Sequence, residues 1–198
     1  MKLLITAGPT REPIDPVRYL SNRSSGRMGF ALAAAATAAG HDVLLVLGPT
    51  ELQPPVDLDV VGVETAEDML AAVLEYLPTV DAAICAAAVS DYRPAHSADK
   101  KIKRGGLATL ELVENPDIAA AVGERRGDKP LIIFALETDH ALENARGKVE
   151  RKNATACVLN SPDAIGASSA RFTIVHRDGR TEELGEIDKS ALFGKLPL

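Results

Sequence analysis

Short apolar runs alternate along this chain with longer amphipathic stretches, and the two periods read in turn as strands and helices. Leu3-Leu4-Ile5-Thr6 makes the first strand, closed at once by the turn Ala7-Gly8-Pro9-Thr10. Residues 11–25 are polar, carry Pro13 and Pro16, and read as a long loop. An Ala-rich helical segment spans 26–39, with Gly40 as its C-terminal cap. Residues 42–47 form a β-branched and leucine-rich strand ended by Gly48-Pro49, and 59–63 form a third. Over 66–77, Met69, Val73 and Leu77 share one helical face. Residues 81–88 are continuously apolar, the pattern of a strand buried on both faces.

Alternation then breaks. Residues 91–106 are polar, include Pro94, and end in Lys100-Lys101-Ile102-Lys103-Arg104. Residues 107–113 alternate like a half-exposed strand, and Asn115-Pro116-Asp117 opens a short helix toward residue 122. Further strands are predicted at 131–135 and 156–159, around a charged amphipathic helix at 139–152. Residues 161–170 read as a small-residue loop, and 171–176 with 181–184 as a hairpin turning through Arg177-Asp178-Gly179. Parallel neighbours need crossovers, so this order predicts one α/β domain over 1–198: a Rossmann-like, doubly wound, mostly parallel sheet with β-arm insertions.

Composition narrows the setting. The formal charge of −6 argues against a general nucleic-acid binder while leaving room for a local cationic site. Cys85 and Cys157 both sit in apolar runs, which fits buried free thiols in a reducing compartment. The first apolar run is too short for a signal peptide, and no run reaches the roughly 20 residues of a membrane helix. A cytoplasmic protein without a membrane partner is expected.

In an open parallel sheet, ligands bind beyond the carboxyl ends of the strands. Three strand ends here run into polar or cationic loops, at 8–25, 89–104 and 134–140. A nicotinamide cofactor would need a tight Gly-x-Gly-x-x-Gly turn, but Gly8 is followed by Pro9 and a long connection before Gly26-Arg27-Met28-Gly29. Ser24 and Ser25 are placed to cap the following helix, whose first amides can meet an anion. Arg11, Arg18, Arg23 and Arg27 crowd four cations into this one connection.

Ser21-Asn22-Arg23-Ser24-Ser25-Gly26, within a longer match from Thr6 to Phe30, resembles the opening of bacterial phosphopantothenoylcysteine synthetase. The resemblance continues at Ala86-Ala87-Ala88-Val89-Ser90-Asp91-Tyr92-Arg93-Pro94 and at Lys101-Ile102-Lys103-Arg104. It runs on through Asn115-Pro116-Asp117-Ile118, Phe134-Ala135-Leu136-Glu137-Thr138 and Glu143-Asn144-Ala145-Arg146, in the family's order. It implies a ligase that activates 4′-phosphopantothenate with CTP as an acyl-cytidylate and couples it to the amine of cysteine, with Mg²⁺. It also implies a homodimer with arms crossing between subunits. The decarboxylase that often precedes such a synthetase is not expected ahead of Met1.

The resemblance assigns roles by position. Asn22 matches the asparagine associated with the acyl-cytidylate, and Lys101 the lysine of the second half-reaction, also a nucleotide contact. Arg18 is the neighbour of Asn22 best suited to the substrate phosphate, because a guanidinium fork matches phosphate oxygens. Cys85, Ala86 and Ala87 match a small-residue stretch that lets nucleotide approach the backbone. Asp91 matches a CTP contact, through ribose or a magnesium shell; both remain open. Asn115, Pro116, Asp117 and Ile118 match the segment reading the cytosine edge, Phe134 a residue flanking the nucleotide, and Lys148 and Lys152 two lysines on the triphosphate. Family members commonly have Ala where Leu136 stands and a longer C-terminal helix than 189–198 allows. On the residues themselves, CTP against ATP stays open, as do an oxidoreductase and a non-catalytic nucleotide sensor on the same fold.

Overall fold

The computed structural model describes residues 1–55, 58–105, 109–137, 139–160 and 167–198. Its centre is an eight-stranded sheet. In chain order the strands are β1 (Lys2–Ala7), β4 (Asp42–Leu47), β5 (Asp59–Gly62), β6 (Ala82–Cys85), β9 (Leu131–Leu136), β10 (Ala156–Asn160), β11 (Ser169–His176) and β12 (Thr181–Asp188). Their order across the sheet is β12-β11-β10-β9-β6-β1-β4-β5. The run from β5 to β10 is parallel, and β11 and β12 close the other edge antiparallel. This is the doubly wound α/β arrangement that the alternation of periods predicts.

The continuously apolar strands follow from cover on both sides. Along β1, Leu3 and Ile5 face one layer and Leu4 the other, and all three are fully buried. Helix α1 (Arg27–Ala38) and the short α5 (Lys189–Leu192) cover the first layer, with Phe30, Leu32, Leu192 and Phe193 in its core. Helices α2 (Ala66–Tyr76), α3 (Ile118–Arg125) and α4 (Ala141–Arg151) cover the second, with Met69, Val73, Val122 and Val149. A capping box between Thr65 and Asp68 starts α2, and Asp117 accepts from the Ala120 amide at 3.0 Å to start α3. No helix among the described residues is long and apolar enough to cross a membrane.

Two small arms stand off the sheet. The loop expected over 11–25 contains a hairpin, β2 (Arg11–Asp15) with β3 (Arg18–Ser21). Its prolines hid it in the sequence, but the turn is built by a side chain: Asp15 Oδ1 accepts from the Val17 and Arg18 amides at 2.9 and 3.0 Å. The second arm pairs β7 (Tyr92–Pro94) with β8 (Leu112–Glu114). The strand expected at 107–113 therefore lies later, and residues 106–108 fall outside the described ones. So do 161–166 of the expected small-residue loop, whose last two residues, Ser169 and Ala170, belong to β11.

The strand expected over 81–88 ends at Cys85. Beyond it the chain leaves the ladder: the Ala87 amide donates to Thr6 Oγ1 at 3.1 Å and the Ala88 amide to the Gly8 carbonyl at 2.9 Å. Gly29 brings α1 onto β1 at close range, since a Cβ there would lie 2.4 Å from that of Ala7. Gly29→Ala forces the two elements apart, and overpacking of this kind costs about 1–3 kcal/mol. Thermal unfolding followed by circular dichroism should show a fall of roughly 2–12 °C in Tm; an unchanged Tm would contradict this packing.

Candidate functional site

The chain leaves β1 for α1 on one face of the sheet and reaches α3 from β6 on the other. Neighbouring crossovers that diverge leave a crevice at the carboxyl ends of the two strands. Here it opens into a cleft of about 810 Å³.

The floor comes from the end of β6. Cys85, Ala86 and Ala87 line the cleft, and their small side chains leave backbone within reach of a ligand. Burial pushes the Cys85 thiol up to about 12, and Cys157 likewise, so neither supplies a thiolate at neutral pH. On the rim, Asn22 Nδ2 donates to the Ala88 and Val89 carbonyls at 3.1 and 3.0 Å. That amide ties the β3–α1 connection to the loop after β6, and it must release a carbonyl before donating to a ligand. Thr10 extends the tie, with its Oγ1 accepting from the Ser90 amide at 3.0 Å.

One wall carries Asp91, exposed in the cleft, and Asn115, whose Nδ2 donates to the Ser90 carbonyl at 2.8 Å. The Asn115 amide donates to the Asp91 carbonyl at 2.8 Å, so the two loops are locked together. Pro116, Asp117 and Ile118 continue this wall into the first turn of α3, and Phe134 lines the cleft from β9. Lys148 on α4 and Lys152, its C-cap four residues on, are half-buried and line the cleft. Each already holds a carboxylate: Lys148 Nζ lies 2.6 Å from Glu137 Oε1, and Lys152 Nζ 3.0 Å from Asp117 Oδ2. Asn144 steadies Glu137 through a 3.2 Å bond to Oε2. An anionic ligand here replaces internal counter-charges, so the lysines need not be desolvated anew.

Two sequence-predicted residues stand apart. Arg18 and Lys101 do not line the cleft of this chain. Arg18 pairs with Asp15 Oδ2 through Nε at 3.0 Å and through Nη2, which also donates to the Ile102 carbonyl at 3.1 Å. The Ile102 amide returns a 3.1 Å bond to Asp15 Oδ2. The loop carrying Lys101 is thereby fastened to the β2–β3 arm, with Lys101 itself exposed.

The first turn of α1 differs from expectation. Ser24 and Ser25 line the cleft but do not cap the helix; Gly26 is the N-cap at φ 78°, with no side-chain cap. Ser24 Oγ instead accepts from the Gly26 amide at 3.3 Å. Sequence reasoning also passed over Lys189, which lines the cleft although it follows the last strand. It lies just past the end of β12, on the same side of the sheet as the end of β10, where α5 packs on α1. Among the described residues no group of three or more His, Cys, Asp or Glu side chains forms a metal cage.

The chain matches the family model described as DNA/pantothenate metabolism flavoprotein C-terminal domain over residues 1–196. It is 48% identical over its whole length to the coenzyme A biosynthesis bifunctional protein CoaBC of Escherichia coli K12, covering 50% of that protein. It is 47% identical over 92% of its length to a protein named cysteine/cysteine sulfinic acid decarboxylase from an unknown prokaryotic organism, covering 53% of it. The chain thus spans about half the length of these relatives. A crystal structure of the C-terminal domain of CoaBC superimposes with a TM-score of 0.85 at 41% identity, covering 98% of this chain and 90% of that one.

The Asp15 carboxylate is the junction of the arm and the Lys101 loop, and its acidity measures that junction. The Arg18 guanidinium, followed by the three backbone amides, holds it well below the usual carboxylate range. A depressed folded-state pKa stabilises the fold above the unfolded value of about 4 and loses that contribution as pH falls toward the folded one. Thermal unfolding from pH 6 to pH 2 should therefore show Asp15→Asn far below the parent protein at pH 6, with the gap closing below about pH 4. A gap independent of pH would contradict the ionised junction.

Proposed function

Because the chain belongs to the DNA/pantothenate metabolism flavoprotein C-terminal domain family, we propose that its cleft joins 4′-phosphopantothenate to L-cysteine at the expense of CTP. The observation that carries the reading is the cleft itself, which Asn22, Asp91, the 115–118 wall, Lys148 and Lys152 all line. The name of the E. coli relative, a coenzyme A biosynthesis protein, supports the same pathway.

The chemistry proceeds in two displacements. A carboxylate oxygen of the acid attacks the α-phosphorus of CTP, the bond to the β-phosphate breaks, and pyrophosphate leaves. The amine of cysteine then attacks the acyl carbon, the bond to CMP breaks, and the nitrogen gives up a proton as the amide forms. Both steps bring anions together, so positioning and electrostatic neutralisation supply most of the acceleration. Lys148 and Lys152 exchange Glu137 and Asp117 for phosphate oxygens. Asn22 turns from the Ala88 and Val89 carbonyls toward the acyl oxygen, a neutral donor that adds no competing nucleophile. The backbone of 115–118 reads the pyrimidine edge beside Phe134.

Magnesium fits as an ion carried by the nucleotide, since Asp91 offers one carboxylate in the cleft and Mg²⁺ commonly uses one or two plus phosphate oxygens. When bound it neutralises developing charge on the phosphates. Arg18 and Lys101 serve the phosphate and the second step from the arm, which in our reading meets another copy of the chain. Val17, Tyr19, Tyr92, Leu112 and Val113 leave apolar surface exposed on the two arms, as a homodimer with crossed arms requires. The free thiols of Cys85, partly buried, and Cys157, buried, suit a cytoplasmic setting.

Pyrophosphate release with 4′-phosphopantothenate, CTP or ATP, and no cysteine tests activation, base choice and acid substrate together. Release with CTP alone is the expected result; release with neither nucleotide overturns the proposal. Asn22→Asp should slow this step about 100-fold, a typical loss for one donor to a reacting oxygen. Lys101→Gln should release pyrophosphate yet accumulate the acyl-cytidylate when cysteine is added, and normal amide synthesis by that variant would remove Lys101 from the second step.

A further inference from the structure

Lys152 reaches the cleft from the C-terminal end of α4, where it is the helix's C-cap. The Ala154 amide donates to the Val149 carbonyl at 2.9 Å and the Asn153 amide to the Glu150 carbonyl at 3.1 Å, the paired bonds of a Schellman ending. That ending uses a left-handed residue, and Asn153 takes the position at φ 48° where glycine is the usual choice. Its polar atoms show what glycine would lose. Asn153 Nδ2 donates to the Gly123 carbonyl of α3 at 2.8 Å, and Oδ1 accepts from Arg177 Nη1 at 2.5 Å. The Asn153 carbonyl accepts from Arg126 Nε at 2.8 Å. Arg126, the C-cap of α3, is itself buried and also donates to the Lys129 carbonyl, so the clamp has a fixed base.

The clamp presses Lys152 against α3. A Cβ at Gly123 would lie 1.9 Å from the Lys152 carbonyl oxygen, so the two backbones meet with no room for a side chain. From there the Lys152 side chain runs along α3 to Asp117, the N-cap six residues before Gly123, where Nζ lies 3.0 Å from Oδ2. Six residues of helix rise about 9 Å, so a lysine starting beside Gly123 has little reach to spare. Asp117 belongs to the 115–118 wall, and one helix therefore sets both the wall and how far the lysine extends past it. We infer that Asn153 is a positioning residue for nucleotide recognition. Held by Gly123, Arg126 and Arg177, it fixes the distance between that wall and the Lys152 ammonium, and so how strongly the cleft prefers a nucleoside triphosphate to its monophosphate. The inference rests on the reading above, in which Lys152 meets the triphosphate. Asn153 does not itself line the cleft, and it acts through Lys152.

Isothermal titration of CTP and CMP into the full chain reads that preference as a ratio of two affinities, which a merely weakened fold leaves unchanged because it removes both sites alike. Asn153→Gly keeps the left-handed backbone and deletes both side-chain bonds. The ratio should fall about tenfold, with the affinity for CMP unchanged. In a Lys152→Met background the same substitution should change the ratio no further. Arg177→Gln, at an exposed position, should lower the ratio about threefold and decides the matter if Asn153→Gly does not fold. Arg180→Gln removes a neighbouring exposed cation that is bonded to His176 instead, and should leave the ratio as it is. A ratio kept in folded Asn153→Gly, or failing that in Arg177→Gln, overturns the positioning role alone. So does a further fall in the Lys152→Met background, or an equal fall in Arg180→Gln. A parent protein that binds CTP no better than CMP overturns the reading of Lys152 on which the inference rests, and one that binds neither overturns the proposed function as well.

Discussion

Charge has to be matched where the sheet is left uncovered, and this constraint organises the molecule. The diverging crossovers after β1 and β6 expose strand ends that no helix covers. Backbone and cations gathered there are therefore available to a ligand, while the central strands are sealed by apolar layers on both faces. Lys148 with Glu137, and Lys152 with Asp117, show how the ligand-free cleft satisfies itself. These partly buried lysines are held in place by carboxylates.

A second set of contacts joins the mobile chemistry to the rigid sheet. Asn22, Thr10 and Asn115 stitch the loops after β1, β3, β6 and β8 together through backbone carbonyls and amides. Asp15 does the same farther out, gathering Val17, Arg18 and Ile102 around one carboxylate. The arm and the Lys101 loop consequently move as a unit if they move at all.

Much of the fold was legible because parallel strands covered on both faces are apolar throughout. The runs at 42–47, 131–135 and 156–159 needed no tertiary information to be read as strands. The β2–β3 hairpin was not legible, since its prolines and charges speak for a loop and its turn depends on where the Asp15 carboxylate points. The run at 81–88 looked like one long strand because Ala86, Ala87 and Ala88 are apolar; their amides nonetheless turn to Thr6 and Gly8. Most of the cleft residues lie just beyond strand ends, where topology brings them together whatever the loop details. Lys189 follows the end of β12, which the antiparallel edge of the sheet brings to the same side as the end of β10. Arg18 and Lys101 lie in two connections that hydrogen bonds fasten to each other, and neither lines the cleft.

A crystal structure of this chain with CTP bound would probe the convergence most directly. The account predicts the pyrimidine against the 115–118 wall, with phosphate oxygens within hydrogen-bond distance of Lys148 or Lys152 and of the Ala86–Ala87 backbone region. A nucleotide seated in any other groove, with this cleft still closed by its Glu137 and Asp117 ion pairs, would contradict it.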